Sequence, residues 1–401
     1  MATTGQYEAS RLPGHPLQEI LYSLMWKWGG RAVAFNMTTA LLSVLCFIFF
    51  ALFLYKLRSR DSLLGGLTLA FTPVVFIHST DSMDYVWALS PILCGFYCIL
   101  EDWSFLGGVC MGLAIGCRIT SAAMLIPASL MLVYQCRRLD PPRLLKFLLP
   151  ALFIGIGSYV PVMLRYGLSF WSFVDRYPST LKIVYVASIG VWGTIGLLAI
   201  LLSMIVFLFS RRFTRSVSIP AQRLLVIAWI SGLVLYGIAF LRLPHEAGYL
   251  IPIVPFTILL LGRFLERRLF IGVCVAVIVS SFVLSVEKAG IYLSGPILRD
   301  HQVRRETSTL IEQTISLDEA SREKRVVVSG WLLPMIEARL GSDVDGQTQY
   351  VELLTSSELH EYRKRGYSTY YLPGMREYNL RVYNVDLNGE GGRILQFRGD
   401  H

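Results

Sequence analysis

Charge is scarce in this sequence. Asp, Glu, Lys and Arg supply only 16% of its 401 residues, against roughly 25% in an average soluble chain, while hydrophobic residues supply 54%. So few charges cannot cover a water-soluble surface of this size, which excludes a single soluble domain, a disordered tail and a nucleic-acid binder. Acidic residues are scarcest where the apolar runs lie. Residues 1–296 carry 23 basic and 12 acidic side chains, and residues 297–401 carry 14 basic and 16 acidic. A basic, apolar part is therefore followed by a charge-rich, near-neutral one. The second part also has no cysteine: Cys46, Cys94, Cys98, Cys110, Cys117, Cys136 and Cys274 all lie in or beside apolar stretches. Cys94 and Cys98 share a helix face without His or carboxylate company, so the cysteines read as small packing residues rather than metal ligands.

What is present is a series of apolar runs. A bilayer core about 30 Å thick needs roughly 20 mainly apolar residues to cross it. Ten candidate helices follow, at 34–55, 62–78, 84–101, 105–117, 119–135, 144–165, 183–209, 223–241, 249–262 and 269–287. The expected fold class is a polytopic α-helical membrane protein of about ten transmembrane helices, with a small C-terminal α/β domain outside the cytoplasm. Ahead of the spans, Pro16–Trp28 is amphipathic and aromatic, the pattern of a helix lying in the membrane interface.

Orientation follows from the basic residues. The connections 56–61, 136–146, 211–223 and 263–268 hold 14 of the 23 basic residues of the apolar part, and alternation puts all four on one side, the cytoplasm. The other side receives residues 1–33, the 79–83 turn, Arg118, the 166–182 and 242–248 loops and the C-terminal domain. An N-terminus outside the cytoplasm with no helix before it implies a longer gene product: one further apolar helix, then an acidic residue shortly before Gly5.

In residues 297–401, Arg304–Ile315 and Ser356–Arg365 read as helices. Arg325–Ser329, Gly366–Leu372, Asn379–Asn384 and Gly392–Phe397 read as strands, making a small α/β layer. No phosphate loop or dinucleotide fingerprint is in it, which favours a docking or substrate-capping module.

Charged groups kept at membrane depth are functional candidates. Four outer segments supply them: Tyr7 to His15, with Glu8, Arg11 and His15, then Glu19; His78 to Tyr85, with Asp81 and Asp84; Arg118-Ile119-Thr120; and Arg242 to Tyr249, with His245 and Glu246. Each has a plainer alternative. Arg118 can snorkel to headgroups, Asp81 and Asp84 can cap a helix, and Pro13–Pro16 can be a stiff turn. Carboxylates and arginines falling on one face from four separated segments point instead to a base beside cationic anchors.

The ordered set resembles a known family. Pro13-Gly14-His15-Pro16 before an amphipathic helix, the acidic turn Thr80–Asp84, Gly107-Gly108…Gly112-Leu113-Ala114…Arg118-Ile119-Thr120, and Tyr249-Leu250-Ile251-Pro252…Pro255-Phe256 are similar to the GT-C glycosyltransferases. Within these, the pattern looks like the dolichyl-phosphate-mannose mannosyltransferase-like (PMT/ArnT-like, glycosyltransferase family 39-like) branch. The resemblance covers about residues 5–290. It implies three parts: an outer loop with an interfacial helix (1–33), a GT-C-like transmembrane domain (34–290) and a soluble extracytoplasmic α/β domain (297–401).

The resemblance also implies transfer of a sugar from a polyprenyl-phosphate donor to a lipid, glycan or protein acceptor on the extracytoplasmic face of the plasma or inner membrane, within the lipid bilayer and without nucleic acid. The family's base, a carboxylate in the first outer loop, has no clean match; Glu8 is the only acid before the Pro-Gly turn. Its second acid maps onto Asp81 or Asp84. On this reading Asp81, Asp84 or Glu8 is the catalytic carboxylate. Arg11, His15, Arg118, Arg242, His245 and Tyr249 bind donor phosphate or substrate. No cofactor is required, and a divalent metal is compatible with the acids. Two rivals are a transporter or flippase, disfavoured by the lack of internal repeats, and a non-catalytic assembly protein.

Overall fold

The computed structural model describes residues 9, 13–29, 32–59, 61–167, 178–209, 220–287, 290–319, 323–340, 348–376, 379 and 393–394. The chain forms two compact units, Met1–Asp300 and His301–His401.

The first unit is helical: α1 Pro16–Lys27, α2 Ala32–Lys56, α3 Ser62–Ala70, α4 Pro73–His78, α5 Asp84–Leu100, α6 Ser104–Cys117, α7 Leu125–Cys136, α8 Pro141–Tyr166, α9 Thr180–Ala187, α10 Ile189–Phe209, α11 Pro220–Arg242, α12 Ile253–Phe264 and α13 Arg267–Val283. Short 3-10 turns at Ile119–Met124 and Ala247–Leu250 lead into α7 and α12. Ser285–Glu287 (β1) and Gly290–Tyr292 (β2) form an antiparallel ribbon.

Five stretches among the described residues are long and apolar enough to cross a membrane: Val33–Lys56, Ile119–Cys136, Pro141–Tyr166, Ile189–Phe209 and Arg223–Arg242. Asp84–Leu100, Ser104–Cys117 and Ile253–Phe264 are shorter apolar helices. Of the expected ten spans, five meet this measure: 84–101, 105–117 and 249–262 are too short, and 62–78 and 269–287 are interrupted. The 62–78 run breaks before Pro73, which cannot donate a backbone hydrogen bond; Ser281 Oγ donates to the freed carbonyl of Phe71. The 183–209 run breaks between α9 and α10, and α10 kinks at Gly193, whose φ is +67°. A Cβ there would collide with Ser280 Oγ and lie 3.3 Å from Pro73 Cγ. The 269–287 run ends as helix at Val283 and continues as β1.

The core helix is α5. Only Pro91, Cys94, Tyr97 and Leu100, a stripe at spacing three, escape full burial; a helix apolar on all sides belongs in the interior. It packs antiparallel on α6 through a close backbone approach, where a Cβ on Gly95 would lie 3.2 Å from the Gly107 carbonyl oxygen. On the other side of α6, Gly108 and Gly112 meet the backbone of α8; a Cβ on Gly112 would lie 3.0 Å from the Ala151 carbonyl oxygen. Small residues one turn apart allow this fit. By contrast, Phe153, Leu164, Leu208 and Phe209 are exposed, an apolar surface too extensive for a water-facing unit. In α1 the polarity is inverted: Gln18 is buried, whereas Leu21, Leu24 and Trp26, and Trp28 just after the helix, are exposed.

The second unit is a small α/β layer. A four-stranded parallel sheet has the order β4–β3–β5–β6, with β3 Arg325–Val328, β4 Thr348–Val351, β5 Ser368–Tyr371 and β6 Arg393–Ile394. Helices α15 Leu333–Leu340 and α16 Ser356–Lys364 supply the crossovers, and helix α14 Pro296–Glu319 contains the boundary between the units. The core is Ile311, Val326, Val327, Val328, Leu332, Ile336, Leu354, Leu359, Tyr371, Leu372 and Met375. β4 and α15 are additions to the sequence reading. Of the expected Asn379–Asn384 strand, all but Asn379 lies outside the described residues, and Asn379 exchanges hydrogen bonds with the Leu354 backbone.

Candidate functional site

The α5–α6 hairpin sets the first part of the site. Asp84 opens α5 and Arg118 follows the last residue of α6, so antiparallel packing brings the two together. Arg118 Nη1 donates to Asp84 Oδ2, and the side chains are 6% and 2% exposed. Arg118 Nε donates to Thr120 Oγ1 at 3.1 Å. The guanidinium lies over the Tyr85 ring at 4.5 Å and over the Tyr249 ring at 4.6 Å, a cation–π arrangement that strengthens once water is excluded. His15 completes the cluster. Its Nδ1 is 3.1 Å from the Cys117 carbonyl oxygen and 3.3 Å from Asp84 Oδ2, so this nitrogen carries the proton in the hydrogen-bonded tautomer. Its buried Nε2 has no hydrogen-bond partner among the described residues.

A second, more accessible group adjoins it. Asp81 Oδ2 is 2.7 Å from His78 Nδ1, and Asp81 Oδ1 accepts the Met83 N–H at 3.0 Å. Asp81 therefore closes the turn into α5 while holding a histidine, whereas Asp84 makes no side-chain cap. The Tyr85 hydroxyl donates to Glu246 Oε2 at 2.6 Å, tying the 246–249 turn to α5. That approach requires a glycine at 248, since a Cβ would sit 2.6 Å from the Tyr85 ring and 2.9 Å from His78 Nε2.

The helix α1 seals one flank. Gln18 Nε2 donates to the Ser82 carbonyl oxygen at 2.8 Å, and the Tyr22 hydroxyl donates to the same oxygen at 3.3 Å. Burial pushes the Tyr22 hydroxyl above its ordinary value, keeping it a neutral donor. Tyr159 Oη donates to the Gly14 carbonyl oxygen at 3.4 Å. Beside Tyr159 runs an apolar groove of about 240 Å³, lined by Ile115, Ile119, Gly155, Ile156, Tyr159 and Met163 among others.

The structure thus joins Asp81, Asp84, His15, Arg118 and Tyr249 at one end of the first unit. Glu8 and Arg11 lie outside the described residues. Arg242 is exposed in the last turn of α11 and His245 is half-buried; neither takes part in the pairs around Asp84. Glu246, Tyr85, His78 and Gln18 were not assigned roles from the sequence. The signal for Glu246 was its place in the same outer loop as His245; nothing local marked Gln18. The motif Gly107-Gly108…Gly112 serves helix packing. Among the described residues the only His, Cys, Asp or Glu triplet with mutually close ligand atoms is Cys94, Cys98 and Cys110, within 4.8 Å of one another, so the acids Asp81 and Asp84 do not form such a set. No protein-family model, curated protein or solved structure matches the chain.

Proposed function

We propose that the chain is a GT-C-type membrane glycosyltransferase, moving a sugar from a polyprenyl-phosphate donor to an acceptor on the extracytoplasmic face. On this reading it crosses the bilayer ten times, counting the short and broken helices, with its C-terminal unit outside the cytoplasm. The observation that carries the reading is convergence: residues from the α1 entry, the 78–85 turn, the end of α6 and the 246–249 turn meet in one charged cluster. Beside it runs an apolar groove suited in chemistry to an isoprenoid chain.

The two carboxylates divide the work. Asp84 is occupied by Arg118 and His15 and holds the helix ends in place. Asp81 is half-buried and backed by His78, so it is the base for the acceptor hydroxyl. Arg242 is exposed and His245 stands three residues on; they meet the donor phosphate, whose charge grows as the sugar leaves, a task that suits the guanidinium fork. Arg118, stacked between two tyrosines, acts through the positions of Tyr85 and Tyr249. The same enclosure favours the second reading, a non-catalytic assembly protein in which these pairs only pin helices.

Membranes containing the full chain are expected to transfer radiolabel from a polyprenyl-phosphate sugar to endogenous acceptors. Asp81→Asn should lower the rate by about 100-fold or more, the scale of a lost general base, at unchanged protein level. No transfer above control membranes, or an Asp81→Asn protein of full activity, sinks the reading.

A further inference from the structure

We propose that Cys94, Cys98 and Cys110 form a three-thiolate site for a soft monovalent cation, Cu(I). This inference is independent of the sugar-transfer reading and concerns the opposite half of the α5–α6 hairpin. Cys94 and Cys98 stand one turn apart on α5, and Cys110 faces them from α6. The three sulfurs lie within 4.8 Å of one another, with Cys94 Sγ and Cys110 Sγ at 3.5 Å. Three sulfurs around one ion at about 2.3 Å each would stand about 4 Å apart, so loading requires only small side-chain rotations.

The scaffold fixes this spacing. Gly95 and Gly107 bring the two backbones together at the same level, and a Cβ on Gly95 would already lie 3.4 Å from Cys110 Cβ. The donor set decides the metal. It consists of sulfur alone, which selects soft ions. Zn²⁺ takes four ligands in its structural sites, whereas three thiolates suit a three-coordinate Cu(I). Cys98 and Cys110 are buried and Cys94 is half-buried, which leaves one sulfur on the side from which an ion enters.

Loading forms three Cu–S bonds. The three thiols give up their S–H protons to water, so a site that was neutral ends, with Cu(I) bound, carrying two negative charges. No electron changes hands.

The test uses the full-length chain in detergent, anaerobic and reduced, titrated with Cu(I) against a chromophoric Cu(I) chelator. One Cu(I) per chain is expected, with an X-ray absorption shell of three sulfurs and no nitrogen or oxygen. Cys94→Ser, Cys98→Ser and Cys110→Ser should each weaken binding at least tenfold, while Cys46→Ser combined with Cys274→Ser leaves it unchanged. An equal concentration of Zn²⁺ should not displace the ion. The proposal is overturned if wild-type protein holds no more Cu(I) than the triple serine variant, if the shell contains nitrogen or oxygen, or if Zn²⁺ displaces the ion. The absorption spectrum is read on the wild type, so a misfolded variant does not remove the test.

Discussion

The two ends of the α5–α6 hairpin both carry ion pairs, yet the pairs differ in kind. At one end Asp84 and Arg118 are almost fully buried, 2% and 6% exposed, and the arginine is enclosed by two tyrosine rings. At the other end Lys56 meets Glu101 at 2.8 Å and Arg143 meets Asp102 at 2.6 Å. Arg143 and Asp102 are 42% and 52% exposed. Exposed pairs are screened and contribute little. A buried pair contributes modestly while intact, but removing one partner strands the other charge without water. The lesson is that charge at the first end is held by geometry, and at the second by solvent.

The sharpest way to break this comparison is to remove one arginine from each end. Arg118→Ala should cost about 3–5 kcal/mol, the range for an uncompensated buried charge, read from thermal unfolding in detergent. Arg143→Ala should leave the transition where it was. The double variant Asp84→Asn with Arg118→Met, which removes both charges, should recover most of the loss. Comparable effects of the two single changes would erase the distinction between the ends.

A smaller effect separates packing from pairing. Gly112→Leu inserts a side chain where the Ala151 and Pro150 carbonyl oxygens lie at 3.0 and 3.1 Å from the would-be Cβ. Overpacking of this sort costs about 1–3 kcal/mol. Because the harm is steric, neutralising Asp84 and Arg118 in the same chain should not relieve it; relief would mean that the helix contact acts through the ion pair.

The smallest effect calibrates an exposed carboxylate with fixed partners. In the C-terminal unit, Thr355 and Glu358 form a reciprocal capping box at the start of α16, and hydrogen bonds from the Thr355 backbone and hydroxyl lower the Glu358 pKa. Thr355→Ala should cost about 1 kcal/mol locally, seen as faster amide exchange across Ser356–Lys364. A lowered folded-state pKa means that the Glu358 contribution is fully present above the ordinary glutamate value and fades as pH falls through the folded value. Exchange in α16 should therefore quicken, beyond its intrinsic pH dependence, on acidification through that window in wild type and not in Glu358→Gln.

Most helices were legible because an apolar run of sufficient length has few other outcomes. Their interruptions were harder to read. Pro73 signals a break in principle, but the partner that tolerates it, Ser281, lies far along the chain. In the candidate site, the segments were legible and the partners were not. Asp81 and Asp84 are three residues apart and chemically alike, yet one closes a turn against His78 and the other is buried against Arg118. Hairpin register could have told them apart. Once Gly95 is set opposite Gly107, Asp84 falls opposite Arg118 and Cys94 falls within one helical turn of Cys110. The convergence of the cysteines likewise depends on the pairing of α5 with α6, which neither helix shows alone. The 246–249 turn had no such guide, because its docking on Tyr85 depends on the packing of distant helices.

The enclosure of Arg118 also has a consequence for how the chain is made. Its carboxylate partner lies on the adjacent helix of the same hairpin, so on the ten-span reading proposed above α5 and α6 enter the bilayer together with the two charges paired, each cancelling the other's insertion penalty. Tyr249 emerges from the ribosome only after five further helices, α7 to α11. The ion pair and its Tyr85 face are thus available during synthesis, whereas the Tyr249 face of the guanidinium is covered later. A chain halted before residue 249 would carry a paired arginine covered only by Tyr85, so the seating of Tyr249 completes the enclosure at this end of the bundle.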